Sequence, residues 1–423
     1  MAKLNRNQKC LFSIHLFRGV MELFTNTFLT SHIISITADN ILGSGLFNSA
    51  IFYISQYICY AIFYFLISFL VKRSNRTIFL QLGIVVNLIL VVCLVFWADT
   101  ISSWVVLVGA LCGISNALYY AGYFVMKNEY AHRVSIKKYN MLTVIGVSLV
   151  KIVVPTVLGV LIDSSSFAKI SIYMVAITLI QLVISFFILS HKRRGNNLYL
   201  NTYLKDLFND KPAFSKIKYT YFNALLSGIK NTYKLVLTVL ILYSFKTNVG
   251  LGLFTSISSV ITMGLLLLFK LYDSKPNLNK LAIYYIIGFL PLISSIILAL
   301  WLNEVTLIIF NFLLTVAIYF SDYFGSSERD AIIKHIGKRQ FIVEHQLTIE
   351  MLTCFSRVIA YAILLLGGLF ANILVFKILL ILLMTANPIK FVIMFKQRKI
   401  RKELEVANYE EMHQISSNEL TNI

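Results

Sequence analysis

The sequence predicts an all-α polytopic membrane protein, with twelve transmembrane helices arranged as two six-helix halves related by pseudo-symmetry. Three observations predict it. The first is composition: 58% of the 423 residues are hydrophobic and only 13% are charged, with a mean hydropathy of +0.77, far beyond a soluble globular chain. The second is that the apolar residues fall into runs of the length that crosses a hydrocarbon core of about 30 Å. The third is a set of matches between the two halves of the chain, set out below.

The runs lie at 11–36, 46–71, 77–97, 101–126, 139–163 and 167–190 in the first half. In the second half they lie at 217–245, 248–271, 281–302, 303–326, 345–371 and 372–395. The chain therefore divides into a first half at 1–190, a linker at 191–216, a second half at 217–395 and a tail at 396–423. Lys3, Arg6 and Lys9 before the first run imitate a secretory leader, but Arg18 and Glu22 interrupt its apolar region and no small-residue cleavage site follows, so it is read as a retained span. In the linker, Leu200, Leu204, Leu207 and Phe208 fall on one helical face, which predicts an interfacial helix. The tail from Gln397 is polar and is expected to be partly disordered.

Charge placement sets the orientation. Of 38 basic residues only Lys169, Lys246 and Lys377 fall toward one side, five lie deep within spans, and the other 30 share the side of the N-terminus. That asymmetry puts both termini in the cytoplasm and accounts for most of the net charge of +19 without nucleic acid. The five cysteines, Cys10, Cys59, Cys93, Cys112 and Cys354, sit in or beside apolar runs without paired spacing. They are read as small packing residues rather than a disulfide framework or zinc site.

The first run carries His15, Arg18, Glu22 and Asn26, spaced as one stripe of a helix. A charge near the bilayer centre costs about 2.5–3.5 kcal/mol on insertion scales, so such groups need a partner, water or a ligand. The stripe has a counterpart. The residues from Arg18 to Leu23 align without gaps with those from Lys230 to Leu235, so Arg18 meets Lys230 and Glu22 meets Lys234. Gly45, Leu46 and Phe47 open the second run as Gly252, Leu253 and Phe254 open the eighth, and Lys151 in the fifth meets Arg357 in the eleventh. A duplicated half arranged in parallel is a common plan of secondary transporters, whose site lies near the midplane between the repeats.

In topology, nearly the whole chain resembles a bacterial-type member of the major facilitator superfamily: six plus six spans, a long basic central loop and both termini inside. The family's loop between spans two and three reads G-x-x-x-D-R-x-G-R-[RK]. The stretch from Ser68 to Thr77 keeps Arg73 and Arg76 but has Lys72 for the Asp and Asn75 for a Gly, which departs from that loop's charge relay. The family's fifth-span motif ends G-P-x-x-G-G, and Pro155 and Gly159 stand at two of its positions. The resemblance implies a rocker-switch transporter with a central cavity lined chiefly by spans 1, 4, 7 and 10.

Counting along each span puts Arg18, Lys151, Lys230, Lys234 and Arg357 deep in the membrane, against Glu22 and Glu350. The excess of positive charge favours an anionic or carboxylate-bearing small solute. A midplane carboxylate must be neutralised by a partner or a proton, which makes Glu22 the candidate for proton coupling, with His15 as a possible relay. Asn26, Asn116, Tyr119, Tyr120, Tyr123 and Asp322 are candidates for the cavity lining, and Glu129 with Arg133 and Glu328 with Arg329 for gate ion pairs. Structural pairing of the same charges is the competing reading. No His-Glu-x-x-His, phosphate loop or Gly-x-Ser-x-Gly elbow occurs, so the chain is read as a monomeric transporter in the cell membrane rather than an enzyme, without cofactor or metal. The alternatives are a lipid-linked sugar or lipid flippase, or a multidrug efflux pump.

Overall fold

The computed structural model describes residues 5–37, 41–71, 74–130, 133–189, 199–245, 247–273, 280–335 and 341–421. Within them, residues 125, 128–130, 133–138, 140, 141, 144, 231, 262, 266, 267, 269–273, 280, 281, 322–331, 333–335, 342, 343 and 407–421 are described by backbone alone. Among the described residues, eleven helices are long and apolar enough to cross a membrane. The first run is the twelfth crossing. It consists of α1 (Arg6–Leu23), a π-helical segment (Phe24–Leu29) and α2 (Thr30–Ile36) in unbroken succession, and its charges keep it off a purely apolar count. Asn5 starts it with a reciprocal cap, its side chain accepting from the Gln8 amide at 2.8 Å while Gln8 accepts from the Asn5 amide at 3.0 Å.

The remaining crossings of the first half are α3 (Leu46–Val71), entered through a second π segment at Ile41–Gly45, α4 (Arg76–Phe96), α5 (Ile101–Tyr130), α6 (Arg133–Ser164) and α7 (Phe167–Phe186). The linker holds α8 (Leu200–Asn209). The second half comprises α9 (Lys211–Phe245), α10 (Asn248–Asp273), α11 (Lys280–Leu300), α12 (Glu304–His335), α13 (Ile342–Phe370), α14 (Ile373–Met384) and α15 (Ala386–Thr421). The seventh crossing begins earlier than the apolar run does. Asp210 caps it by accepting from the Ala213 amide at 3.0 Å, and Pro212 sits in the first turn, where a missing N–H costs nothing.

Within each half the helices are held by small residues and buried amides, because lipid gives no hydrophobic drive between apolar helices. A methyl at Gly113 of α5 would collide with the Gln56 carbonyl of α3, so only glycine allows that approach. Gln181 of α7 donates to the Ile14 carbonyl of α1 at 3.0 Å. In the second half Asn223 of α9 donates to Gln397 of α15 at 2.8 Å, and Gln397 donates to Thr220 at 3.1 Å. The halves meet chiefly along two helix pairs, α6 with α10 and α3 with α13.

The twelfth run crosses as expected, with a one-residue interruption of its helix at Thr385, where Pro388 lacks the N–H that the Met384 carbonyl would need. Two expectations are corrected. The tail, expected to be partly disordered, continues as helix to Thr421. Its buried Gln397 and Arg398 and the packing of Leu404 against α8 and α9 give it a folded partner that composition alone does not show. The face of α8 also differs. Tyr203 and Leu207 are buried against α9, α12, α13 and α15, while Phe208, expected on that face, is 60% exposed. Tyr203 turns inward because its hydroxyl finds partners, His345 at 2.9 Å and Tyr221 at 2.7 Å.

Candidate functional site

Between the halves lies a cavity of about 400 Å³. α1 and the π segment after it supply His15, Gly19, Glu22, Asn26 and Thr27, α5 supplies Tyr120, and α6 supplies Val147 and Lys151. α9 contributes Lys234 and Thr238, α10 contributes Phe254, Thr255, Ser258 and Ser259, and α12 contributes Asn311, Thr315 and Tyr319. The π segment begins two residues after Glu22. A π turn inserts one residue into the helix, and here it swings Asn26 and Thr27 onto the wall that Glu22 already faces.

Glu22 is the only carboxylate of the described lining. It accepts a hydrogen bond from the Tyr120 hydroxyl and lies 3.5 Å from Nε of Arg18, one helical turn away. Arg18 itself is 2% exposed and does not face the cavity. Its guanidinium donates to Ser115 Oγ at 3.2 Å and to Asn116 Oδ1, and it stands 4.9 Å above the Tyr119 ring. Arg18 is thus a buried charge whose two terminal nitrogens are held by α5, and Asn116 and Tyr119 hold it rather than line the cavity. His15 stacks on Tyr123 at 4.3 Å and meets the Tyr119 hydroxyl at 3.2 Å, which leaves Tyr123 behind the wall.

Lys151 and Lys234 enter the same cavity from opposite halves. Lys151 makes no hydrogen bond or ion pair with other described residues. Pro155, one turn on, has no N–H for the Lys151 carbonyl, so the cavity wall at α6 also holds a backbone acceptor without its helical donor. Among the described lining residues, Lys151 and Lys234 stand against the single carboxylate of Glu22.

The other deep charges stand elsewhere. Lys230 is half-buried on α9 and is not in the described lining. Arg357 packs 4.7 Å above the Tyr57 ring at the α3–α13 seam, where Tyr361 stacks on Tyr57 at 5.7 Å and on Tyr53 at 4.6 Å. Glu350 on the same helix accepts from Gln346 at 3.0 Å. Depth along a span does not decide which of its faces turns inward. Arg76, from the loop-motif remnant, donates to the Val71 carbonyl at 3.4 Å. Arg73 lies outside the described residues, as do the side chains of Asp322, Glu129, Arg133, Glu328 and Arg329.

Sequence reasoning passed over the uncharged half of the lining. Thr255, Ser258 and Ser259 on α10, and Asn311, Thr315 and Tyr319 on α12, repeat at helical spacing. A search for polar stripes without regard to charge finds them.

The end of the bundle opposite α8 is shut. Asp163, at the end of α6, accepts from the amides of Asn248 and Val249 at 3.3 and 2.9 Å and from the Asn248 side chain at 2.7 Å. Ser31 of α2 donates to Asn248 at 2.6 Å. One turn deeper, a methyl at Gly252 would collide with the Pro155 carbonyl, and one at Gly159 would stand 2.5 Å from the Asn248 carbonyl. The two residues that match the family's fifth-span motif are therefore among those at which the halves touch.

Two six-helix halves closed over a polar cavity lined from both are the plan of a secondary transporter. Residues 12–340 match the family model described as Major Facilitator Superfamily, and the chain belongs to that family. No curated protein matches the chain. Among solved structures it is similar to a peptide transporter POT in complex with sulfate, at 11% identity, TM-score 0.72, and 94% and 95% coverage of the two chains. It is also similar to a POT family transporter in complex with 5-aminolevulinic acid, at 14% identity, TM-score 0.65, and 94% and 96% coverage. A third is a bacterial homologue of the iron transporter ferroportin in an inward-facing state, at 12% identity, TM-score 0.66, and 94% and 99% coverage. At such identities the likeness is one of fold.

Proposed function

We propose that this transporter moves a small anionic or carboxylate-bearing solute across the cell membrane by alternating access, coupled to protons through Glu22. One observation carries the reading: Lys151 and Lys234, one from each half, face a cavity whose only described carboxylate is paired with Arg18. An anion between the two lysines bridges the halves and is held by both. A proton on Glu22 would release Arg18 from its ion pair, so solute and proton act on one connected set of groups. The two similar structures that hold sulfate and 5-aminolevulinic acid contain ligands with an anionic group, which agrees with this choice. The 30 basic residues on the side of the termini support a cytoplasmic placement of both termini.

Liposome flux tests the proposal, screening organic anions, peptides, sugars and cationic drugs. Lys151→Ala and Lys234→Ala are expected to lower anion flux at least tenfold, and Glu22→Gln to abolish its response to a pH gradient. Arg357→Ala, remote from the lining, is expected to lower thermal stability more than it lowers anion affinity. Unchanged anion flux in the two lysine variants, or a Glu22→Gln protein that still follows the pH gradient, overturns it.

A further inference from the structure

A second cavity, of about 320 Å³, lies between α10 and α12. Its walls are Ile257, Ile261, Ile308, Ile309, Phe312 and Leu313, joined by Phe254 and Asn311. Ile257, Ile308, Ile309 and Phe312 are 56%, 52%, 49% and 44% exposed, on helices long and apolar enough to cross the membrane, so the groove faces acyl chains. Phe254 and Asn311 are also walls of the central cavity. Asn311 is 7% exposed and donates to Ser258, a central-cavity residue, at 2.7 Å. A side chain–side chain pair and one aromatic ring thus separate a lipid-facing apolar groove from a polar chamber that holds Lys151 and Lys234.

We propose that the groove is the acyl-chain subsite of the central cavity, and that the transported anion is a single-chain amphiphile bearing a carboxylate or phosphate head. The head lies between Lys151 and Lys234. The tail passes Phe254 and Asn311 and runs between Ile257 and Ile309 toward the bilayer. This rests on the reading of the central cavity as an anion site. Two features select this occupant: the chamber presents two lysines where the groove is apolar, and the two volumes share their walls. A phospholipid merely covering the bundle would have no use for the continuity with Lys151. A small hydrophilic anion would leave the groove unused.

The test measures binding of hexanoate, decanoate and tetradecanoate, and of the matching uncharged alcohols, to the full chain in nanodiscs, with empty nanodiscs as the partition control. A methylene transferred from water to an apolar wall strengthens binding about fourfold. Affinity corrected for partition is expected to rise with carboxylate length in the unaltered protein. Ile309→Trp, which fills the groove, is expected to flatten that rise, and an unaltered thermal unfolding temperature shows the variant is folded. Lys151→Ala is expected to weaken all three carboxylates by a similar factor. A length dependence unaltered by Ile309→Trp overturns the subsite. Alcohols that bind as tightly as the carboxylates show ordinary lipid coverage and also overturn it. If instead Lys151→Ala leaves every carboxylate unchanged, the anion site itself fails, whatever Ile309→Trp does.

Discussion

Arg18 shows how a charge inside the bundle is settled by its neighbours rather than by its depth. It is surrounded by Ser115, Asn116, Tyr119 and Glu22, so removing it leaves a carboxylate facing the cavity without its cation. Removing the buried member of such a pair is destabilising, because the remaining charge loses its partner while staying inside the bundle. Arg18→Ala is therefore expected to lower the thermal unfolding temperature in detergent clearly more than Lys151→Ala does, as read by tryptophan fluorescence. The sequence makes the stripe of Arg18, Glu22 and Asn26 visible, because polar groups at helical spacing stand out in an apolar run. It does not tell Lys151 from Arg357, which align in the two halves yet end at different places, one in the cavity and one over Tyr57. The azimuth of a helix is fixed by contacts with helices distant in sequence. Asn311 and Ser258 escape a reading led by charge for another reason: uncharged polar residues are common in spans, and many of them bond back to their own helix.

At the scale of elements, hydropathy finds the crossings and misses their interruptions. The π segment Phe24–Leu29 and the break at Thr385 leave no mark in an apolar average, although Pro388 marks the second for a reader of backbone donors. The crossing of α6 and α10 depends on glycine at 252, where any side chain meets the Pro155 carbonyl. Gly252→Val is expected to push the two helices apart and to reduce transport at least tenfold, while the protein still purifies as a folded species. The control is Gly264→Ala, on the same helix, where an added methyl meets nothing within 4 Å. The linker helix was legible through its leucines, but not its anchor. Tyr203 is fully buried, and Tyr203→Ala is expected to cost about 3 kcal/mol, the lower part of the range for truncating a buried aromatic ring, measurable as earlier unfolding of the second half by limited proteolysis. Tyrosine reads as an interfacial residue until its hydroxyl partners, His345 and Tyr221, are known.

For the whole molecule, the number of crossings and the division into halves were legible because length, composition and repetition are properties of the chain itself. The closure of one end was not, since it joins Asp163 to residues of the other half. Asp163→Ala is expected to increase cysteine-labelling access to the cavity from the end opposite α8. Losing a cap of this kind costs about 0.5–2 kcal/mol, which corresponds to roughly a 2- to 30-fold change in the ratio of shut to open forms. Labelling that is unaltered in Asp163→Ala would show that the packing of Gly159 against Asn248 and of Gly252 against Pro155, with the Ser31–Asn248 bond, keeps the end shut without the cap.

Asp163 does for α10 what a serine or aspartate ordinarily does for the first turn of its own helix, but it belongs to the other half. Thr247 of α10 itself serves only the Gly250 amide, at 3.1 Å, so opening that end is expected to leave the Asn248 and Val249 amides without their acceptor, a bias toward the shut form that solute binding would have to offset.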